Sequence, residues 1–302
     1  MNWSRSLNGS LANCLLILTT ACTPFSQSPL AEQSSRAASP QPTIGYKTYV
    51  LPRSLVHVLT IPVSRYPVLP MVADTLESVE AFAQRTDAIA VINGGFFDPQ
   101  NTKSTSYVVV NGQQVADPRQ NQRLIENPDL APYMDKILNR SELRQYQCGP
   151  KTTYDIVLHQ SPVPPGCELT QALGAGPQLL PESTAVTEGF IDNANGVVIR
   201  DALGSQQPNA RSAVGLTGDG TMVWVVATQP PEHPTGSGLT LSELTEFLRS
   251  LAVERAMNLD GGSSTSLYYQ GRTVYGKLDS AGATVKRQIK SVLLVPNPAT
   301  AR

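Results

Sequence analysis

The chain of 302 residues is poor in the groups on which many active sites are built. It has three histidines, scattered at His57, His159 and His233, and none sits in a motif with a nucleophile. A Ser-His-Asp triad is therefore not supported; His57, inside an apolar run, reads as a packed strand residue. Runs of Lys or Arg are also missing. With a formal net charge of −1 and no basic stripe, a polyanion-binding surface of the nucleic-acid type is not expected, so any phosphate must be met locally. Of the four cysteines, no two are accompanied by histidine at zinc spacing. The main N-terminal apolar run, Leu11 to Ala21, is too short to span a bilayer as a mature helix.

That run has the layout of an export signal, because Arg5 precedes it and small residues close it before Cys22. Thr19-Thr20-Ala21-Cys22 resembles a lipoprotein cleavage box, with residues 1–21 removed and Cys22 acylated. An ordinary signal peptide cleaved nearby is the alternative. In either case the mature protein is expected in the periplasm or at the cell surface, and in the first case lipid on Cys22 is its membrane contact. Residues 22–43, rich in Ser, Gln, Ala and Pro without apolar periodicity, read as a disordered tether. Residues 44–302 form the expected single catalytic domain, in a chain whose 40% hydrophobic content is enough for one substantial core. Cys14 leaves with the signal and Cys22 takes lipid. Cys148 and Cys167 remain as a pair in an oxidising compartment, and a disulfide between them is expected.

The stretch around which the rest is organised is Asn258-Leu259-Asp260-Gly261-Gly262-Ser263-Ser264-Thr265, which sets one carboxylate and three hydroxyls around a Gly-Gly turn after an apolar strand. Before it, Leu241, Leu244, Phe247, Leu248 and Leu251 recur at helical spacing, and Thr240 and Glu243 are placed as a capping box. An earlier segment repeats the plan: a helix expected over Leu76 to Arg85 and opened by Asp74 and Glu77, the run Ala88 to Ile92, then Asn93-Gly94-Gly95-Phe96-Phe97-Asp98. Two helix-strand-GlyGly units suggest one shared site, with glycine amides at the strand ends free to meet an anion.

Elsewhere the pattern is one of hairpins. Asn111-Gly112 joins Tyr107–Val110 to Gln113–Val115, Gly218-Asp219-Gly220 joins Ser212–Leu216 to Met222–Ala227, and Gln270-Gly271 lies within Tyr268–Tyr275. Val56–Ile61 and Val68–Val72 read as opening strands paired as neighbours, and Ser291–Val295 as a buried closing strand. Asp117 to Gln147 reads as a polar excursion with short helices, its Arg119, Arg123, Arg140 and Arg144 forming a solvated face.

Five ordered motifs carry a resemblance. Ile92–Asp98, Gly174-Ala175-Gly176-Pro177-Gln178-Leu179, Ala210–Gly215, Gly238–Leu244 and the Asp260 turn are similar to the successive motifs of the phosphodiester glycosidase family. One departure is Ser263, where family members often carry a third glycine. The resemblance implies hydrolysis of a sugar-1-phosphodiester at the bond between the anomeric carbon and the phosphate oxygen, with a glycan or sugar phosphodiester as partner. It implies Arg211 as a phosphate clamp, Asp260 and then Asp98 as the carboxylate acting at the sugar, and Asn93, Gly94, Gly95, Gly176, Gly261, Gly262, Ser263, Ser264 and Thr265 as the surrounding site.

The expected fold is α+β: a largely antiparallel sheet with hairpins and two helix-strand-GlyGly units converging on one site. Two other functions remain open at this level. Asp98, Asp260 and Asn93 are hard-oxygen donors that suit Mg²⁺ or Ca²⁺ in a phosphodiesterase cleaving P–O, although no cofactor is required by the sequence. A glycan-binding envelope module without catalysis is the third.

Overall fold

The computed structural model describes residues 42–300. The signal peptide, the lipidation at Cys22 and all but the end of the tether lie outside these residues. Every strand pairing among them is antiparallel, in two five-stranded sheets, a six-stranded sheet and one separate two-stranded hairpin.

The six-stranded sheet runs, in spatial order, Gly45–Leu51, Ser54–Pro62, Thr221–Thr228, Arg211–Thr217, Val253–Asn258 and Gln178–Leu180. Its central strands, Arg211–Thr217 and Thr221–Thr228, are buried on both faces, and the period of two sorts their side chains cleanly. Met222, Trp224 and Val226 point into the central core, whereas Val223, Val225 and Ala227 of the same strand point to the other side. There they meet Leu241, Leu244 and Leu248 of the helix Leu241–Ser250. Full burial of each such side chain is worth roughly 1.5–3 kcal/mol. The expected capping box is present: the Thr240 hydroxyl accepts from the Glu243 amide at 3.1 Å, and the Glu243 carboxylate accepts from the Thr240 amide at 2.8 Å.

The second sheet, Arg272–Tyr275, Ser266–Tyr269, Ala88–Asn93, Ile289–Pro296 and Leu69–Glu77, repeats the arrangement. Ala90, Ile92, Leu293 and Val295 join the central core, while Val91, Val292 and Leu294 turn to Val79, Phe82 and Ala83 of the helix Val79–Thr86. Helix, sheet, sheet and helix are thus stacked in layers. The third sheet, with strands Val108–Val110, Gln113–Ala116, Ser141–Cys148, Lys151–Leu158 and Cys167–Gly174, adds Val108, Leu143, Ile156 and Leu173 to the same core. Cys148 and Cys167 face each other in register there and form the expected disulfide, 19 residues apart in sequence.

Three expectations are corrected. The strand holding Val56–Ile61 does not pair with Leu69–Glu77; it pairs with Gly45–Leu51 and Thr221–Thr228, and the two lie in different sheets. The first helix starts at Val79 behind Ser78, whose hydroxyl takes the Ala81 amide, because residues through Glu77 are held in the strand ladder by Ile289. Asp117–Gln147 is not wholly a surface excursion. Ser141–Cys148 is a central strand, and Arg144 is buried there against Glu142 at 2.7 Å, so its polar letters conceal a paired interior charge.

Candidate active site

The two Gly-Gly turns meet. Ala88–Asn93 and Val253–Asn258 belong to different sheets, yet the Asn93 side chain donates to the Asp260 carbonyl at 2.6 Å and the Asp260 amide donates to the Gly94 carbonyl at 3.0 Å. Ser212 completes the stitch by donating to the Asn93 side-chain oxygen at 2.6 Å, which also accepts the Ser266 amide at 3.1 Å. Both acceptor positions of that oxygen are filled, so Asn93 is a buried structural tie and offers no lone pair to a cation.

Asp260 lies at this junction, partly open to solvent but densely surrounded by protein. Burial pushes its carboxyl up to about 6, against the Ser264 hydroxyl, the Gly261 amide and the charge of Arg287, all of which favour the ionised form. A carboxylate poised in that range exchanges a proton near neutral pH, as a general base must. Beside it, Thr265 Oγ1 and Asn258 Oδ1 are buried and make no hydrogen bond within the described residues.

Other expected site residues have different surroundings. The glycine amides of the first turn are not bare: Gly94 donates to the Ser291 carbonyl and Gly95 to the Ser291 hydroxyl. Those of the second turn are also engaged, Gly261 with Asp260 Oδ1 at 2.9 Å and Gly262 with the Ala210 carbonyl at 2.8 Å. The glycines instead permit close approach. A Cβ on Gly94 would stand 2.8 Å from the Ser291 carbonyl, one on Gly95 would strike the Gly174 carbonyl, and one on Gly176 would strike the Glu188 carboxylate. Gly262 additionally has φ of +58°, which favours glycine.

Arg211 is buried, and its guanidinium donates to four backbone carbonyls: Leu239 at 3.1 Å, Leu203 at 3.0 Å, Gly204 at 2.8 Å and Gln207 at 3.0 Å. Burial lowers its pKa to about 10 despite the pull of Asp201. Its fork is engaged with protein and presents no free bidentate edge to a phosphate. Asp98 accepts from Arg123 at 2.8 Å and from the Gln100 amide at 2.8 Å. Burial opposes its ionisation, but these two partners outweigh that and hold its carboxyl below the usual range. No hydrogen bond links Asp98 to Asp260 within the described residues. Ser263 and Ser264 stand in the tight turn Gly262–Ser264, as expected.

A cation absent from the expected set is present. The half-buried Arg287 lies with its guanidinium carbon 5.3 Å from the centre of the Phe97 ring, and its charge reaches Asp260. Lys277, on the same connection between the last two strands, donates to Asn209 at 3.1 Å, and the Asn209 amide nitrogen lies 3.6 Å from the Cβ position of Gly262. Neither motif nor periodicity marks either residue.

The sequence profile of the phosphodiester glycosidase family matches residues 86–296, most of the chain. The protein belongs to this family. Among solved structures, the fold is similar to the zebrafish N-acetylglucosamine-1-phosphodiester alpha-N-acetylglucosaminidase catalytic domain auto-inhibited by its pro-peptide, with a TM-score of 0.60 and 17% identity over 86% of this chain and 85% of that one. It is also similar to a hypothetical protein from Synechocystis, with a TM-score of 0.54 and 17% identity over 83% of this chain and 61% of that one. No curated protein sequence matches.

Two further features of this phosphodiester glycosidase family member lie apart from the Asp260 contacts. A cavity of about 960 Å³, lined by Gly218, Asp219, Tyr154 and Arg255 among others, opens at the other end of the strands that lead to Asp260 and Arg211. His159 has a carboxylate partner after all: its Nδ1 lies 2.6 Å from Glu142, and its ring stacks on Tyr107 at 3.7 Å. Among the described residues no group of three or more His, Cys, Asp or Glu is assembled to hold a metal.

Proposed function

We propose that the protein hydrolyses a sugar-1-phosphodiester of an envelope or extracellular glycan, with Asp260 as the general base. The observation that carries this is a carboxyl raised to about 6 at the junction of two Gly-Gly turns in a member of the phosphodiester glycosidase family. The name of the zebrafish enzyme describes action on a bond of the same class. Asp260 takes a proton from water as the water oxygen bonds to the anomeric carbon. The carbon–oxygen bond breaks, and its electron pair leaves with the phosphate ester. That leaving group is a weak base and needs no proton, so one carboxylate suffices where most glycosidases use two.

In this scheme Arg211 is a positioning residue. It gathers the carbonyls of Leu203, Gly204, Gln207 and Leu239, and its neighbour Ala210 accepts the Gly262 amide that shapes the Asp260 turn. Asp98 with Arg123 shapes the loop after the first turn. The protein acts outside the cytoplasm, held by lipid at Cys22, as the Arg5 to Cys22 pattern supports.

The test is turnover of a panel of sugar-1-phosphodiesters in ¹⁸O-water, with and without chelator. Label is expected in the sugar, with activity surviving the chelator and kcat/KM falling as pH drops through about 6. Label in the phosphate would identify P–O cleavage instead, and saturable binding without turnover would identify a glycan-binding module.

A further inference from the structure

Arg287 is a half-buried cation with no ion pair and no hydrogen bond among the described residues. Partly desolvated charges are ordinarily paired, and an Arg held only by an aromatic face keeps its donors free. Its position is fixed from the first Gly-Gly turn, since Phe97 lies two residues after Gly95. Lys277 approaches the second turn through Asn209, a neutral partner that leaves its charge uncompensated within the described residues. The two come from one tight connection: the Val285 amide donates to the Lys277 carbonyl at 2.9 Å, and Leu278 bridges Thr284. Two cations without an ion pair among the described residues therefore approach the junction from one connection, Arg287 beside the first Gly-Gly turn and Lys277 beside the second. The four glycine amides of the two turns do not supply an anion site, because they are already engaged.

We propose that Arg287 and Lys277 form a phosphate subsite that binds the non-bridging oxygens of a phosphodiester monoanion, leaving Asp260 the sugar side. This deepens the glycosidase assignment and rests on it for the sugar, though not for the anion. The subsite makes the protein selective for phosphate-linked sugars over neutral glycosides.

The experiment titrates dimethyl phosphate into the full mature protein by ³¹P NMR and repeats it with Arg287→Gln, Lys277→Gln, the pair, and Asp260→Asn as a folded control. Wild type is expected to bind saturably. Each cation variant should bind about tenfold or more weakly, and Asp260→Asn at least as tightly as wild type, since a neighbouring negative charge has gone. Arg287→Lys should recover part of the loss. Binding unchanged in the cation variants, or absent in wild type, overturns the subsite. So does an Arg287→Gln protein that only shifts the pH profile of Asp260, which would make Arg287 a tuner of that carboxyl. If Arg287-dependent binding is found without turnover of any sugar-1-phosphodiester, the glycosidase assignment fails and the subsite stands; turnover with binding indifferent to Arg287 and Lys277 gives the converse.

Discussion

Replacing Asp260 by Asn removes a charge that the fold holds at some cost. The carboxyl of Asp260 titrates at about 6 in the folded protein, about two pK units above its ordinary 3.8. At about 1.4 kcal/mol per unit, the ionised group destabilises the fold by roughly 3 kcal/mol at most at neutral pH. The sign follows from the direction of the shift. A carboxyl whose folded pKa is raised imposes no penalty below its unfolded pKa; the penalty grows as pH rises from the unfolded value to the folded one and is fully present above it. Asn keeps the shape, still accepts from the Gly261 amide and can donate to Ser264, so it escapes the penalty without losing the local hydrogen bonds. The variant should therefore melt several degrees higher than wild type near pH 7.5, at roughly 2–4 °C per kcal/mol for a domain of this size. The gap should close as pH falls to about 4. Its kcat should drop about a hundredfold or more, because a base has been lost, while substrate affinity holds. Thermal melts across pH and steady-state kinetics on the same preparation decide the matter. Equal stability at neutral pH, a gap that persists in acid, or a near-normal kcat would refute the assignment.

Arg211→Lys should lose most of the four carbonyl contacts and strand buried acceptors, lowering stability by about 2–4 kcal/mol in denaturant melts. A variant as stable as wild type but impaired in dimethyl phosphate binding would restore Arg211 as the phosphate clamp. Cys22→Ser should release the protein into the soluble fraction on cell fractionation, and retention in the membrane fraction would mean that another anchor exists.

Legibility followed how local each signal was. The capping box of Thr240 and Glu243, and the hairpin turns at Asn111-Gly112 and Gln270-Gly271, could be located because each depends on residues a few positions apart. The pairing of Leu69–Glu77 with Ile289–Pro296 was not legible, since two apolar strands with the same alternation give no sign of which sheet they join. Ser141–Cys148 was hidden for a different reason. Glu142 and Arg144 look like surface letters, yet each neutralises the other inside the sheet, and burial patterns read from composition treat both as exposed.

The same distinction separates the contacts around the two turns that motif reading anticipates from those it does not. A Gly-Gly pair after a strand was read as bare amides for an anion, but a motif does not reveal what lies across from it. Ser291 and Gly174, far along the chain from Gly94 and Gly95, supply the backbone and hydroxyl groups that press on these glycines and occupy their amides. Arg211 was likewise singled out because guanidinium suits phosphate, and it suits clustered carbonyls equally well. Residue type alone does not choose between them; in the structure the group is buried and donates to four backbone carbonyls. Arg287 is the reverse case, since nothing around it in sequence distinguishes it from other surface charges. Its placement depends on the closing connection returning over Phe97. An anion reaching Arg287 would meet a cation that has no ion pair among the described residues, whereas at Arg211 it would have to displace four hydrogen bonds.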